Sequence, residues 1–250
     1  MKRYSPLLLL TLLATGCQPV AAPTAAPLPV TATAPVGKHC LAAVVHDLQV
    51  AWPDNKIVNI IAFGHSVPAG FGITPAVHKR DAYPRLLEDA LADAYPHAVL
   101  NVITAAAGGE NSQQGRERFA RDALAHAPRV VLIDYGLNDR GLALQASARN
   151  LAAMIVEARA AGACPVLLTP TWDEQAAPDR AGDPLGAQAA MIRRLGELTD
   201  VPVADSLAAF QNYRGDRHQL MAQFNHPNRE GHALVLGQLM PLFTPSASQP

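Results

Sequence analysis

Four residues that together could hydrolyse an ester lie in separate stretches of the sequence. They are Ser66, Gly109, Asn138 and His226. A serine hydroxyl becomes a nucleophile when a nearby base takes its proton, and a histidine can do so and then return the proton to a leaving alcohol. The N–H of Gly109 and the amide of Asn138 could donate hydrogen bonds to the oxyanion of the reaction. These residue types therefore predict nucleophilic acyl transfer.

Other chemistries need patterns that the sequence lacks. A dinucleotide-binding loop requires the spacing G-x-G-x-x-G after the first strand, and the glycines from Gly64 to Gly72 do not have it. His226 and His232 stand six residues apart and do not form the HExxH pair of zinc hydrolases. We therefore expect chemistry that uses neither a metal nor a cofactor.

Apolar runs that alternate with amphipathic segments predict the elements that position these residues. The predicted strands are Ile57–Phe63, Val99–Ile103, Val130–Asp134, Pro165–Thr169 and Val201–Ala204. The predicted helices are Leu41–Ala51, Tyr83–Tyr95, Gln113–His126, Ala148–Ala161, Leu185–Leu198 and Arg229–Leu242. This alternation is typical of an α/β fold with a parallel sheet covered on both faces.

In such folds, ligands bind beyond the carboxyl ends of the strands. Ser66, Gly109 and Asn138 each follow one of the first three predicted strands, and His226 comes shortly before the last predicted helix. We therefore expect the four residues to converge at one edge of the sheet.

The motifs around these residues resemble those of the SGNH (GDSL-type) hydrolase family. In chain order they are Gly64-His65-Ser66, Gly109, Gly136-Leu137-Asn138-Asp139 and His226-Pro227-Asn228. The resemblance extends from about residue 57 to about residue 242 and implies a three-layer α/β/α, flavodoxin-like sandwich with a parallel five-stranded sheet. It also implies that Ser66 is the nucleophile. The implied oxyanion hole consists of the N–H of Ser66, the N–H of Gly109 and the side chain of Asn138.

The sequence departs from the family at the acid that orients the histidine. The family places this acid three residues before the histidine, where this chain has Gln223. A backbone carbonyl near Ala222 or Gln223 would give a Ser-His dyad, which we favour. Alternatively, a carboxylate from elsewhere, Asp173 or Asp216, would complete a triad with His226.

Two further residues are candidate substrate contacts. His65 replaces the Asp of the family's first motif and stands beside Ser66. Trp172 follows the fourth predicted strand, where its ring could stack on a sugar; otherwise it packs the loop.

Composition limits the class of protein. The 250 residues include 20 Lys and Arg against 21 Asp and Glu, so the formal net charge is −1. A nucleic-acid binder usually needs a basic face, which this balance argues against. The length and the 49% hydrophobic content fit one domain, which we place at residues 38–245.

The N-terminus has the pattern of an exported lipoprotein. Lys2 and Arg3 precede a short apolar stretch, and Ala14-Thr15-Gly16-Cys17 resembles a lipobox. We expect residues 1–16 to be a signal peptide, Cys17 to be acylated, and residues 17–37 to form a Pro/Ala-rich tether. Since no Asp follows Cys17, the expected location is the outer membrane of a Gram-negative envelope. An ordinary secretory signal with an incidental cysteine is the alternative.

Two cysteines remain in the domain, Cys40 and Cys164. In an oxidising compartment they could pair, or both could stay free as buried thiols. The sequence as a whole predicts a secreted, lipid-anchored serine esterase that acts on short-chain, mainly acetyl, esters of carbohydrates. A lysophospholipase- or thioesterase-type lipid esterase is the alternative within the same class. A catalytically silent glycan-binding module is the alternative from a different class, suggested by Gln223 and His65.

Overall fold

The computed structural model describes residues 40–245. The predicted signal peptide, the predicted acylation site Cys17 and the predicted tether up to residue 37 lie outside this range. Within residues 40–245, no helix combines the length and hydropathy needed to cross a membrane.

A parallel sheet of five strands forms the centre of the domain. The strands are β1 (Ile57–Gly64), β2 (Val99–Ala106), β3 (Val130–Asp134), β4 (Cys164–Leu168) and β5 (Val203–Ala204). Their order across the sheet is β2-β1-β3-β4-β5. Every residue of β3 and of β4 is buried, as expected for strands with helices on both faces.

Helices cover both faces of the sheet. They are α1 (Cys40–Gln49), α2 (Ser66–Ala69), α3 (Tyr83–Ala94), α4 (Ser112–Asp122), α5 (Gly136–Asp139), α6 (Leu144–Ala160), α7 (Pro184–Thr199), α8 (Ser206–Gln211) and α9 (Arg229–Leu239). Between α8 and α9 the chain forms a short antiparallel hairpin of β6 (Met221–Gln223) and β7 (His226–Pro227).

Alternate residues of the central strands enter two separate cores. Ile60 and Leu132 pack with residues of α1, α3 and α9, whereas Ile61 and Ile133 pack with residues of α4 and α6. This is the side-chain alternation of a strand covered on both sides. The predicted three-layer sandwich with a parallel five-stranded sheet is therefore confirmed.

The short elements were not predicted from the sequence. The one-turn helices α2 and α5 and the two-residue strand β7 hold too few residues to show a hydrophobic period. They nevertheless carry Ser66, Asn138 and His226. The local geometry of the site therefore depends on elements that are too short to be predicted from a hydrophobic pattern.

A disulfide bond joins Cys40 to Cys164, with their Cα atoms 5.6 Å apart. It connects the first residue of α1 to the first residue of β4. Of the two possibilities that the sequence left open, the structure therefore has the paired cysteines.

Candidate active site

Ser66 begins α2 directly after β1, at the carboxyl edge of the sheet. The chain can turn there because position 64 is a glycine: a Cβ on Gly64 would lie 2.3 Å from the carbonyl oxygen of Asp134. Gly70, with φ +91, ends the helix four residues later. The hydroxyl of Ser66 is thereby held at the tip of a tight strand-to-helix turn, in a side chain that is only 7% exposed.

His226 lies within hydrogen-bond distance of Ser66. Its Nε2 lies 2.9 Å from Ser66 Oγ, although the two residues are 160 positions apart. Its Nδ1 lies 3.0 Å from the carbonyl oxygen of Gly72. A carbonyl only accepts, so the proton is on Nδ1, and Nε2 is free to accept the hydroxyl proton of Ser66.

Burial keeps the imidazole of His226 neutral. Desolvation lowers the pKa of His226 below its ordinary value, and the neighbouring His65 acts in the same direction. The hydrogen bond to the Gly72 carbonyl opposes this effect without reversing it. A neutral imidazole is the form that can take a proton from a serine.

Neither expected carboxylate orients His226. Asp173 is buried, forms an ion pair with Arg140 and accepts a hydrogen bond from Gln175 N at 2.7 Å. Asp216 accepts from His218 N at 3.0 Å and caps a short 3₁₀ helix. The favoured arrangement, in which a carbonyl holds the histidine, is the one observed.

The expected position of that carbonyl was wrong. It belongs to Gly72 on the loop after α2, not to the region of Ala222 or Gln223. Every residue carries a backbone carbonyl, so no residue type in the sequence could single out Gly72 as the acceptor.

Hydrogen-bond donors for an oxyanion lie on two loops beside Ser66. The backbone N–H groups of Ser66 and Gly109 donate to no acceptor within residues 40–245. Gly109 has φ +81, a conformation that favours glycine. Asn138 donates one amide hydrogen to the carbonyl of Glu110 at 2.8 Å, which fixes the amide and leaves its second N–H available. These are the three groups that the family resemblance implied for the oxyanion hole.

His65 does not reach solvent, which contradicts its expected contact with substrate. It is 1% exposed. Its Nδ1 accepts a hydrogen bond from Val67 N at 3.2 Å and lies 3.4 Å from Ser66 Oγ. Its Nε2 lies 3.4 Å from Asp134 Oδ1, without the alignment of a hydrogen bond. His65 is therefore a buried cap of α2 beneath the serine.

Trp172 is not free to stack on a sugar either, because it is 7% exposed. The guanidinium of Arg217 lies 5.0 Å from its ring centre, and the ring of His218 meets it edge to face at 5.2 Å. Of the two interpretations of Trp172, packing of the loop is the one observed.

The phenyl ring of Phe71 lies beside His226. Its ring centre is 5.9 Å from that of His226. A Cβ on Gly108 would lie 2.9 Å from the same phenyl ring, so the ring packs directly against the loop that carries Gly109. The phenyl ring therefore lies between His226 and the loop that carries Gly109.

Arg118 of α4 connects the loops of the site and was missed in the sequence. Its guanidinium donates to the carbonyls of Gly64 at 3.2 Å and Ala105 at 3.0 Å, and to Glu110 Oε2 at 2.7 Å. It also lies over the ring of Phe63, 4.4 Å from the centre. The polar sequence of α4 gave no signal that this arginine is turned toward the loops of the site.

Within residues 40–245, no three His, Cys, Asp or Glu side chains are placed to hold a metal ion.

Sequence comparison relates the chain to known hydrolases. The model of the GDSL-like lipase/acylhydrolase family matches residues 62–234. Over 111 residues the chain is 31% identical to thioesterase 1/protease 1/lysophospholipase L1 of Escherichia coli strain K12. The aligned part covers 44% of this chain and 49% of that protein, so the chain spans about half the length of the curated relative.

Solved structures share the fold. Axe2, an acetylxylan esterase from Geobacillus stearothermophilus, aligns with a TM-score of 0.64 at 18% identity, over 77% of this chain and 97% of its own. TesA aligns with a TM-score of 0.62 at 24% identity, over 75% and 98%. The esterase EstA from Pseudoalteromonas sp. aligns with a TM-score of 0.58 at 21% identity, over 73% and 94%. At these identities the likeness is one of fold.

Proposed function

Because the chain belongs to the GDSL-like lipase/acylhydrolase family, we propose that it hydrolyses carboxylic esters through an acyl intermediate on Ser66, with His226 as the base. The observation that carries this proposal is the 2.9 Å contact between Ser66 Oγ and His226 Nε2. This contact, together with the N–H groups of Ser66 and Gly109 that donate to no acceptor within residues 40–245, supports acyl transfer, which needs a nucleophile, a neutral base and oxyanion donors.

The reaction proceeds in two halves. Ser66 Oγ attacks the ester carbonyl carbon while its proton moves to His226 Nε2, and the oxyanion accepts hydrogen bonds from the N–H of Ser66, the N–H of Gly109 and the amide of Asn138. Collapse of the tetrahedral intermediate breaks the bond to the alcohol, which leaves with the proton from Nε2. A water molecule then attacks the acyl group, gives its proton to His226 and releases the carboxylic acid, and the proton returns to Ser66.

The favoured substrates are short-chain, chiefly acetyl, esters of carbohydrates. The ring of Phe71 beside His226 disfavours long acyl chains. Gly108 and Gly109 are exposed, which leaves the loop with the oxyanion donors open to a bulky alcohol. Axe2, which has the same fold, is an acetylxylan esterase.

A lipid esterase of the lysophospholipase or thioesterase type is the second candidate. Ile73 and Val77 are 67% and 50% exposed, and both lie on the loop that contains Gly72. Apolar side chains at the rim of a cleft could bind an acyl chain. The curated relative from Escherichia coli carries the names thioesterase and lysophospholipase.

Ester hydrolysis by the wild-type protein and by Ser66→Ala tests the proposal. The assay should compare p-nitrophenyl acetate, butyrate and octanoate with acetylated xylo-oligosaccharides and lysophosphatidylcholine. We expect turnover that requires Ser66 and falls with acyl length. Preference for the octanoate and the lipid, reduced by Ile73→Ser with Val77→Ser, would favour the second candidate. Equal background rates for wild type and Ser66→Ala on every ester would contradict the esterase and favour a silent glycan-binding module.

The location is part of the proposal. We infer that Cys17 carries the lipid anchor and that the domain works in the cell envelope, on the outer membrane. The disulfide between Cys40 and Cys164 supports this, because such bonds persist in oxidising compartments. Metabolic labelling with an alkyne analogue of palmitate should mark the wild-type protein and leave Cys17→Ser unlabelled. A wild-type protein without label would contradict the anchor.

A further inference from the structure

We propose that Gln223 is a positioning residue that replaces the orienting acid indirectly, by holding the turn of residues 72–76 so that the Gly72 carbonyl faces His226. The inference rests on the proposed esterase function and explains how the site works without a carboxylate. Gln223 stands at the position of that acid, three residues before the histidine, but its side chain bonds to the turn instead of the imidazole.

The β6–β7 hairpin couples Gln223 to His226. The two residues are direct partners in its antiparallel pairing. The side-chain oxygen of Gln223 accepts a hydrogen bond from Thr74 N at 2.8 Å. Its amide nitrogen donates to Asn225 Oδ1 at 3.3 Å, which fixes the orientation of the amide. The hairpin that carries His226 is therefore bonded, through Gln223 on β6, to the turn that carries Gly72.

The turn has few other attachments. Gly72 N donates to Ala76 O at 3.1 Å and Ala76 N donates to Ile73 O at 2.8 Å, so these bonds are internal to the turn. Residues 73–76 are exposed. Within residues 40–245, the bond from Thr74 to Gln223 is the one hydrogen bond from residues 73–76 to a distant part of the chain. Without this bond, the tip of the turn would still be closed at its base, where Phe71 bridges Val77 and His78 N donates to Gly70 O at 2.7 Å, but its direct bond to β6 would be lost.

The hydrogen bonds and the strand pairing link His226, the turn of residues 72–76 and Gln223 in a ring of contacts. His226 Nδ1 donates to Gly72 O. Two residues further along the turn, Thr74 N donates to the side chain of Gln223. Gln223 in turn pairs with His226 in the β6–β7 hairpin. The turn packs beside β6, because a Cβ on Gly72 would lie in ordinary van der Waals contact, at 3.7 Å, with the Cβ of Ala222. A histidine that loses its Nδ1 partner loses its fixed tautomer and ring orientation, and catalysis falls.

Steady-state kinetics of the full chain test this role. We expect Gln223→Ala, and the similarly long Gln223→Met, to lower kcat about tenfold to a hundredfold while KM stays within about threefold, since the serine and the oxyanion donors are untouched. Gln219→Ala is the matched control. Gln219 is an exposed glutamine two residues before β6. Within residues 40–245 its hydrogen bonds come from its backbone and not from its side chain: the carbonyl accepts from Asn228 Nδ2 at 2.7 Å, and the N–H donates to Asp216 O at 3.1 Å. Its replacement should leave kcat unchanged.

Gln223→Glu tests whether a fall in kcat comes from a displaced turn or from a less stable protein. Its carboxylate can still accept from Thr74 N, so we expect it to recover most of kcat at pH 8. Its negative charge near His226 favours the imidazolium, so the acid limb of the kcat profile should move to higher pH. The other titratable or charged groups around the imidazole are unchanged in these variants: His65, His232, and Asp173 with its partner Arg140.

Nuclear magnetic resonance of ¹⁵N-histidine-labelled protein tests the geometry without turnover. In wild type and in Gln219→Ala, the Nδ1 proton of His226 should give a visible signal and exchange slowly with solvent. In Gln223→Ala and Gln223→Met, the signal should be lost or the proton should exchange rapidly. If wild type lacks Ser66-dependent hydrolysis, the proposed function fails, while this proton signal still tests the role of Gln223. An unchanged signal, or wild-type kcat in both Gln223 variants, would overturn the inference.

Discussion

The guanidinium of Arg118 donates a hydrogen bond to the carbonyl of Gly64, at 3.2 Å, one residue before His65 and Ser66. The same group bonds to Ala105 at the end of β2, and it pairs with Glu110, whose carbonyl accepts from Asn138. One side chain therefore contacts the strand end before the nucleophile and the loop beside the oxyanion donors. The planar fork of arginine allows these simultaneous contacts.

Replacement of Arg118 should therefore lower catalysis more than binding. We expect Arg118→Lys to reduce kcat about tenfold or more, because an ammonium cannot bridge the two carbonyls and Glu110 together. Arg118→Met should also cost roughly 2–4 kcal/mol of unfolding free energy, since it leaves Glu110 unpaired. Kinetics and urea unfolding check both effects. Arg121→Met on the same helix is the control, because that side chain is 77% exposed and, within residues 40–245, its one ion-pair partner is Asp122. A similar kcat for Arg118→Met and Arg121→Met would contradict the role of Arg118.

Burial of His226 predicts how activity depends on pH. The base works when its imidazole is neutral, so kcat/KM falls as the pH drops through the pKa of His226. Desolvation lowers the pKa of His226 below its ordinary value of 6.5. We therefore expect the acid limb of the pH profile of kcat/KM to lie below pH 6.5, with full activity retained in mildly acidic buffer. An acid limb centred near pH 7 or above would show that a carboxylate sets this pKa.

Phe71 should control the length of the acyl chain. Phe71→Ala removes the ring that packs against Gly108 beside His226. We expect the ratio of kcat/KM for p-nitrophenyl octanoate to that for the acetate to rise about tenfold. Lys79→Ala, an exposed position further along the same loop, should leave the ratio unchanged. A ratio that stays the same in Phe71→Ala would exclude the ring as the wall of the acyl site.

Restoring the family's aspartate at position 65 should destabilise this chain. His65 Nε2 lies 3.4 Å from the buried Asp134, so His65→Asp would place two carboxylates close together away from water. We expect a loss of roughly 2–4 kcal/mol in urea unfolding at pH 8, and a smaller loss at pH 5, where one carboxyl holds a proton more readily. Addition of Asp134→Asn should recover most of the stability. If His65→Asp alone unfolds like wild type, the two positions are not coupled.

The arrangement of the sheet and the convergence of the site were predictable because both follow from patterns. Apolar runs place the strands, and the carboxyl ends of parallel strands bring Ser66, Gly109 and Asn138 to one edge. His226 reaches the same edge, within hydrogen-bond distance of Ser66. The catalytic roles of these residues remain predictions for the assays above.

The supporting contacts were not predictable, each for its own reason. The acceptor for His226 is a backbone carbonyl, at Gly72, which no residue type marks. Arg118 acts from the middle of a polar helix, where a solvated arginine is the ordinary expectation. Trp172 is covered by Arg217 and His218, which follow it by more than forty residues. Such contacts depend on three-dimensional distances between segments that the sequence leaves undetermined.

The bond between Cys40 and Cys164 also determines how mechanical force enters the domain. Any pull on the chain ahead of Cys40 reaches the first residue of α1 and passes through the two sulfur atoms to the first residue of β4. The covalent link therefore transfers the load to an inner strand of the sheet, and α1 cannot be peeled away by its N-terminal end. The loops that hold Ser66 and His226 lie outside this path of force.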